Sequence, residues 1–134
     1  MQISESKNNH YERIGGEAKV RQLVQRFYQV MDELPEVHGV RKMHAESLKG
    51  SEEKLFMFLS GWMGGPQLFV EKFGHPHLRQ RHMPFSIGKT ERNQWLMCMD
   101  QALTDVVEDE NLRNELRVAF IKVADFMRNQ SEPD

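Results

Sequence analysis

The chain has one cysteine, five prolines among its 134 residues and no long apolar run. A single thiol, Cys98, excludes an internal disulfide and suits a reducing compartment. Neither a CxxC nor an HExxH pattern occurs, so the common zinc signatures are missing. Nothing approaches the roughly 18 apolar residues of a membrane span. The first residues, 1–9, are polar and carry no signal-peptide core. A cytoplasmic protein with no membrane partner is expected. Charge is equally uninformative, with 18 basic and 20 acidic side chains interspersed to a net −2. That balance gives no footprint for nucleic acid. No stretch alternates with period two, no hairpin signal occurs, and no internal repeat or low-complexity segment is found.

What is present is helical periodicity. Over residues 17–33 the apolar positions Val20, Leu23, Val24, Phe27, Tyr28 and Met31 recur at spacings of three and four, one buried stripe of an amphipathic helix. Pro35 ends that helix and can open a short one at its first turn. Ser51 is a candidate N-cap for a helix carrying Leu55, Phe58, Leu59, Trp62 and Met63, stopped by Gly64-Gly65-Pro66. A short helix is expected within 67–73. Thr90 is a candidate cap for a helix with Trp95, Cys98, Met99, Ala102 and Val106 inward, and Asp109 for the last, with Leu112, Leu116, Phe120 and Ala124 inside. The fold is all-α, one domain over residues 11–130 between loose tails at 1–10 and 131–134. Nine methionines and eight phenylalanines suit an ordinary core or an adaptable cavity wall equally.

One stretch concentrates chemistry. Residues 74–85 hold His75, His77 and His82, with Arg81 before His82 and Pro84 two residues after it. Pro84 must end or bend a helix there. A histidine at such an end can be a solvated C-terminal cation. That is the commoner role; the other is to offer a neutral ring nitrogen to a haem iron while a basic neighbour meets a propionate. Zinc held by His75, His77 and His82 is a third reading, weakened by the absent zinc patterns. Two further features sit poorly in a plain bundle: the helices before His82 are short and glycine-broken, and Trp95 falls on an inner stripe where its N–H needs a partner.

Taken together, these residues resemble the truncated haemoglobins of group II over nearly the whole domain. The resemblance rests on Gly15-Gly16, Phe27-Tyr28, Phe58…Trp62…Gly64-Gly65-Pro66, Gly74-His75-Pro76, Arg79-x-Arg81-His82-x-Pro84-Phe85 and Trp95 thirteen residues after His82. It implies a globin-like, truncated two-over-two helical sandwich enclosing haem b (iron protoporphyrin IX). By the same resemblance His82 is the proximal iron ligand, and Tyr28, His44 and Trp95 are polar groups on the distal side. Ser51 takes the position of the distal histidine of larger globins, where its small side chain leaves a ligand path open. Leu55, Phe58 and Phe85 line the haem, and Lys54 and Arg81 meet its propionates.

The implied ligands are dioxygen, nitric oxide and carbon monoxide, with an unidentified reductase as electron donor. Three donors around bound dioxygen would slow its release, so chemistry such as nitric oxide or peroxide detoxification is expected ahead of oxygen transport. A gas or redox sensor acting through a partner protein is the alternative. A helical interaction module without haem is a third reading, and it predicts a colourless protein. Cys98 is expected to be buried and inert.

Overall fold

The computed structural model describes residues 9–129, and every regular element among them is helical. The expected tails at 1–10 and 131–134 lie outside the described residues, apart from Asn9 and His10. His10 already belongs to α1, His10–Ile14, whose N-cap Asn9 accepts the Glu12 N–H at 2.8 Å. The long helix α2 spans Glu17–Glu33 and buries the expected stripe, with Val20, Leu23 and Phe27 fully inaccessible. Pro35–Val37 forms a 3-10 turn, and the four-residue α3, His38–Arg41, follows it. Then come α4 (Lys49–Trp62), α5 (Leu68–Phe73) and α6 (Leu78–His82). Two long helices close the chain, α7 (Lys89–Val106) and α8 (Glu110–Phe126).

Packing explains the order. Helix α2 lies against both α4 and α7, and α7 lies against α8, so two helix pairs share the α2–α7 contact. The result is the two-layer helical sandwich expected. Phe120 of α8 is the aromatic hub, with ring centroids 4.6 Å from Trp62 and 5.9 Å from Trp95. Gly65 permits the closest approach in the molecule, because a Cβ there would lie 2.4 Å from the Tyr11 ring.

Two helix starts differ from expectation. Ser51 is not the cap of α4, which begins two residues earlier behind Leu48, with the Ser47 hydroxyl accepting the Lys49 N–H at 3.4 Å. Thr90 is not the cap of α7. Gly88 holds that position, and Glu91 reaches back to accept the Gly88 N–H at 2.8 Å. In each case a nearby side-chain oxygen satisfies an orphan donor, so the strongest capping residue in the sequence is not needed at the cap itself. Asp109 caps α8 as expected, accepting the Leu112 N–H at 3.2 Å. No helix among the described residues is long and apolar enough to cross a membrane.

Candidate functional site

His82 ends the short helix α6, and its ring is half-buried. Its Nδ1 lies 2.7 Å from the Leu78 carbonyl oxygen one turn earlier. A carbonyl only accepts, so the proton sits on Nδ1 and Nε2 carries a lone pair. Behind the ring, the chain from His82 to Ile87 is clasped by one residue. Asn129 donates from Nδ2 to the carbonyls of His82 (3.2 Å) and Phe85 (2.8 Å), and its Oδ1 accepts the Ile87 N–H at 2.9 Å. Its backbone N–H also donates to the Ile87 carbonyl at 2.8 Å.

Helices α2 and α7 and the loop after α3 supply a second group of polar side chains. The Phe27 ring stands between Tyr28 and Trp95, at centroid distances of 4.8 and 5.1 Å, and so fixes the spacing of those two polar aromatics. Tyr28 also meets His44 edge-on, with centroids 5.8 Å apart. Burial, reinforced by Glu52, pushes the Tyr28 phenol above its ordinary pKa against an opposing hydrogen bond with Ser51. Tyr28 therefore stays protonated and can donate. Ser51, no helix cap, lies instead beside the tyrosine hydroxyl.

His44 is fixed as His82 is, with Nδ1 3.0 Å from the carbonyl oxygen of Val40. Burial holds its pKa below the usual histidine range against the pull of that carbonyl, and positive charge on Arg41 or His82 lowers it further. His82 is thus close enough to His44 for its charge to disfavour charge on the His44 ring. Neutral His44 presents the Nε2 lone pair, so toward the site it accepts, whereas the sequence suggested a third donor.

The remaining expected residues sit at the rim. Leu55 and Phe58 of α4 are half-buried, and Phe58 borders a cavity of about 200 Å³ with Trp62, Phe69 and Pro76. Lys54 and Arg81 come from different helices yet converge on one aromatic pair. The Lys54 ammonium lies 5.9 Å from the Phe73 ring centroid and the Arg81 guanidinium 5.3 Å from that of Phe69, two rings 4.9 Å apart. Arg81 Nε also donates to the Pro76 carbonyl at 2.5 Å. Phe85 is exposed. His75 and His77 are exposed too, and the described residues hold no cluster of three or more potential metal ligands, which removes the zinc reading of His75, His77 and His82. Cys98 is fully buried and its thiol is pushed up to about 12, so it is inert.

Sequence reasoning missed Asn129 and Gln94. Gln94 accepts the Val40 N–H at 2.8 Å across the gap between α7 and α3. Nothing in the local pattern marks either residue, because both act on backbone groups brought near only by the fold.

This donor set fits a haem group. An imidazole whose Nδ1 is committed to its own helix leaves Nε2 for a metal, a phenol, an indole and a second imidazole cluster about Phe27 and Tyr28, and two cations converge on the Phe69–Phe73 pair. The comparisons agree. The bacterial-like globin family model matches residues 9–129. Group 2 truncated hemoglobin YjbI of Bacillus subtilis is 34% identical over 132 residues, 98% of this chain and 97% of its own. The solved group II 2-on-2 hemoglobin of Agrobacterium tumefaciens superposes with a TM-score of 0.89 at 44% identity, over 92% of this chain and 95% of its own. The cold-adapted truncated hemoglobin of Pseudoalteromonas haloplanktis gives 0.90 at 42% identity, over 92% and 100%. The chain belongs to the bacterial-like globins, within the group II truncated haemoglobins. Membership implies a haem cofactor and diatomic gas ligands.

Proposed function

We propose that this globin uses haem b in the cytoplasm for redox chemistry on bound ligands, with conversion of nitric oxide to nitrate or reduction of peroxide ahead of oxygen transport. Haem supplies the redox-active iron at which such ligands are held and converted. In this reading His82 holds the iron through Nε2, the Leu78 carbonyl fixes its tautomer, and Asn129 fixes the backbone behind it. Lys54 and Arg81 meet the propionates, while Leu55, Phe58 and Phe85 contact the ring.

On the other side Tyr28 donates its O–H into the site, and its high pKa keeps that proton in place. Trp95 contributes its indole N–H, spaced from Tyr28 by Phe27. His44, beside Tyr28, adds a hydrogen-bond acceptor to the same cluster. Preorganised donors stabilise negative charge where it develops, which favours chemistry over easy release. Nitric oxide, dioxygen and one electron balance to nitrate, so a reductase must supply that electron. The observation that carries this reading is the cluster of Tyr28, Trp95 and His44 within electrostatic reach of a tautomer-fixed histidine.

The test is the visible spectrum of the purified protein, oxidised, reduced and exposed to carbon monoxide, beside His82→Ala. The expected result is a Soret band that moves with carbon monoxide and is lost or strongly altered in the variant. Nitric oxide consumption by the oxygenated protein should then fall in Tyr28→Phe. A colourless protein after added haemin would overturn the haem reading, and consumption unchanged in Tyr28→Phe would overturn the chemical role of this cluster.

A further inference from the structure

We propose that Gln94 is a positioning residue for His44, acting through the two polar groups of Val40. The inference rests on the reading of His44 as part of the ligand site. Helix α3 is a single turn, and its N-cap, Val37, supplies no side-chain cap. The Val40 N–H is therefore one of the orphan donors at a helix start, with no partner available in its own helix. Gln94 supplies the missing acceptor from α7, with Oε1 2.8 Å from the Val40 nitrogen. It does across space what a capping serine or aspartate does locally.

Two further facts tie this bond to the site. Gly39 makes room for it, because a Cβ at that position would lie 2.8 Å from Gln94 Oε1 and 3.3 Å from Nε2. Val40 is itself buried, and its carbonyl is the group that takes the His44 Nδ1–H at 3.0 Å. Val40 is thus held through its N–H by Gln94 and holds His44 through its carbonyl. The chain of contacts runs from α7 through the α3 backbone to the imidazole. It sets which nitrogen of His44 carries the proton, and so whether His44 accepts or donates toward Tyr28. Gln94 also immediately precedes Trp95, so one turn of α7 governs two of the three polar groups of that cluster.

The test reads the tautomer directly. In the haem-free protein, imidazole nitrogen shifts of His44 are compared among wild type, Gln94→Leu, Gln94→Glu and Gly39→Ala. Wild type and Gln94→Glu, which keeps an acceptor, are expected in the Nδ1–H form. Gln94→Leu and Gly39→Ala, which remove or displace the acceptor, are expected to lose it toward Nε2–H. Should Gln94→Leu fail to fold, the Gly39→Ala and Gln94→Glu arms decide the matter. An Nδ1–H form retained in Gln94→Leu, or in Gly39→Ala where only that variant folds, overturns the proposal. Haem-loaded protein gives a second readout, the infrared band of bound carbon monoxide. Gln94→Leu should shift that band in the wild-type background and leave it unmoved beside His44→Phe, and equal shifts in both backgrounds overturn action through His44. Failure to bind haem would sink the proposed function while leaving the tautomer result standing.

Discussion

His44 and His82 are fixed by the same device. Each donates its Nδ1–H to the carbonyl four residues before it, Val40 at 3.0 Å and Leu78 at 2.7 Å. Both Nε2 atoms are therefore lone-pair donors to whatever lies between, although one ring ends α6 and the other lies in the loop after α3. The two differ in support. Asn129 braces the backbone at His82, whereas Gln94 braces the residue that holds His44. Each histidine thus depends on a residue distant in sequence, and the consequences can be measured separately.

Tyr28 and Trp95 should control ligand release unequally. A hydrogen bond to a charged acceptor contributes about 1.5–3 kcal/mol, so Tyr28→Phe is expected to speed oxygen dissociation about ten- to a hundredfold. The Trp95 indole donates to the same ligand from a half-buried position where water competes, and Trp95→Phe should give the smaller effect, about two- to tenfold. Because burial raises the Tyr28 pKa, the wild-type rate should stay flat as pH passes the ordinary tyrosine value near 10. Stopped-flow dissociation across that range checks both points. Equal, unchanged rates in the two variants would contradict the assigned roles.

Asn129→Ala should loosen the chain that carries His82. It leaves the nearly buried Ile87 N–H without its side-chain acceptor and removes two donations, to the His82 and Phe85 carbonyls. A stranded donor of this kind costs about 1–3 kcal/mol. Chemical denaturation should show that loss, and haem transfer to a competing apoprotein should quicken. An unchanged denaturation midpoint with unchanged haem transfer would contradict it.

The helices were legible in the sequence and much of the site was not. Tyr28, Trp95 and Cys98 could be placed because they sit on stripes whose period alone says which face is inward. The start of α4 differs from expectation because Ser51 is followed by Glu52-Glu53, the acidic pattern of a first turn, while the helix begins behind Leu48 with an equivalent serine, Ser47, one residue further back. His44 could be named only by resemblance, and its tautomer needs the Val40 carbonyl, which no spacing reveals. Gln94 and Asn129 were invisible for a related reason. Each is one polar residue that bonds to backbone 54 or more than 40 positions away, and backbone leaves no mark in a sequence.

Lys54 and Arg81 should matter modestly to haem retention. Both are exposed, and an exposed ion pair contributes about 0.2–1 kcal/mol, which corresponds to at most about a fivefold faster loss for each alanine variant. High salt should shrink that difference, since screening removes most of an exposed attraction. His82→Ala should lose haem far faster at any salt. A salt-independent loss in the lysine and arginine variants would point to packing against Phe69 and Phe73 instead of charge.

Acid should destabilise the fold partly through His44. Burial lowers its pKa in the native state, whereas the unfolded chain binds a proton at the ordinary value near 6.5. As pH falls through that value, the unfolded chain takes a proton that the native state refuses, so stability drops. The drop ends once pH is below the depressed native value, where both states are protonated. Wild type should therefore lose more stability between pH 7.5 and 5 than His44→Phe does, by urea denaturation of each at both values. Effects common to both proteins, such as that of the Glu115 carboxylate held low by Arg13, cancel in that difference. Native His44 stays neutral until pH falls below its depressed value, so only there does it gain an Nε2–H and turn from acceptor to donor, and oxygen dissociation should stay flat as pH passes the ordinary histidine value near 6.5. Equal stability losses in the two proteins would show that His44 titrates alike in the native and unfolded states.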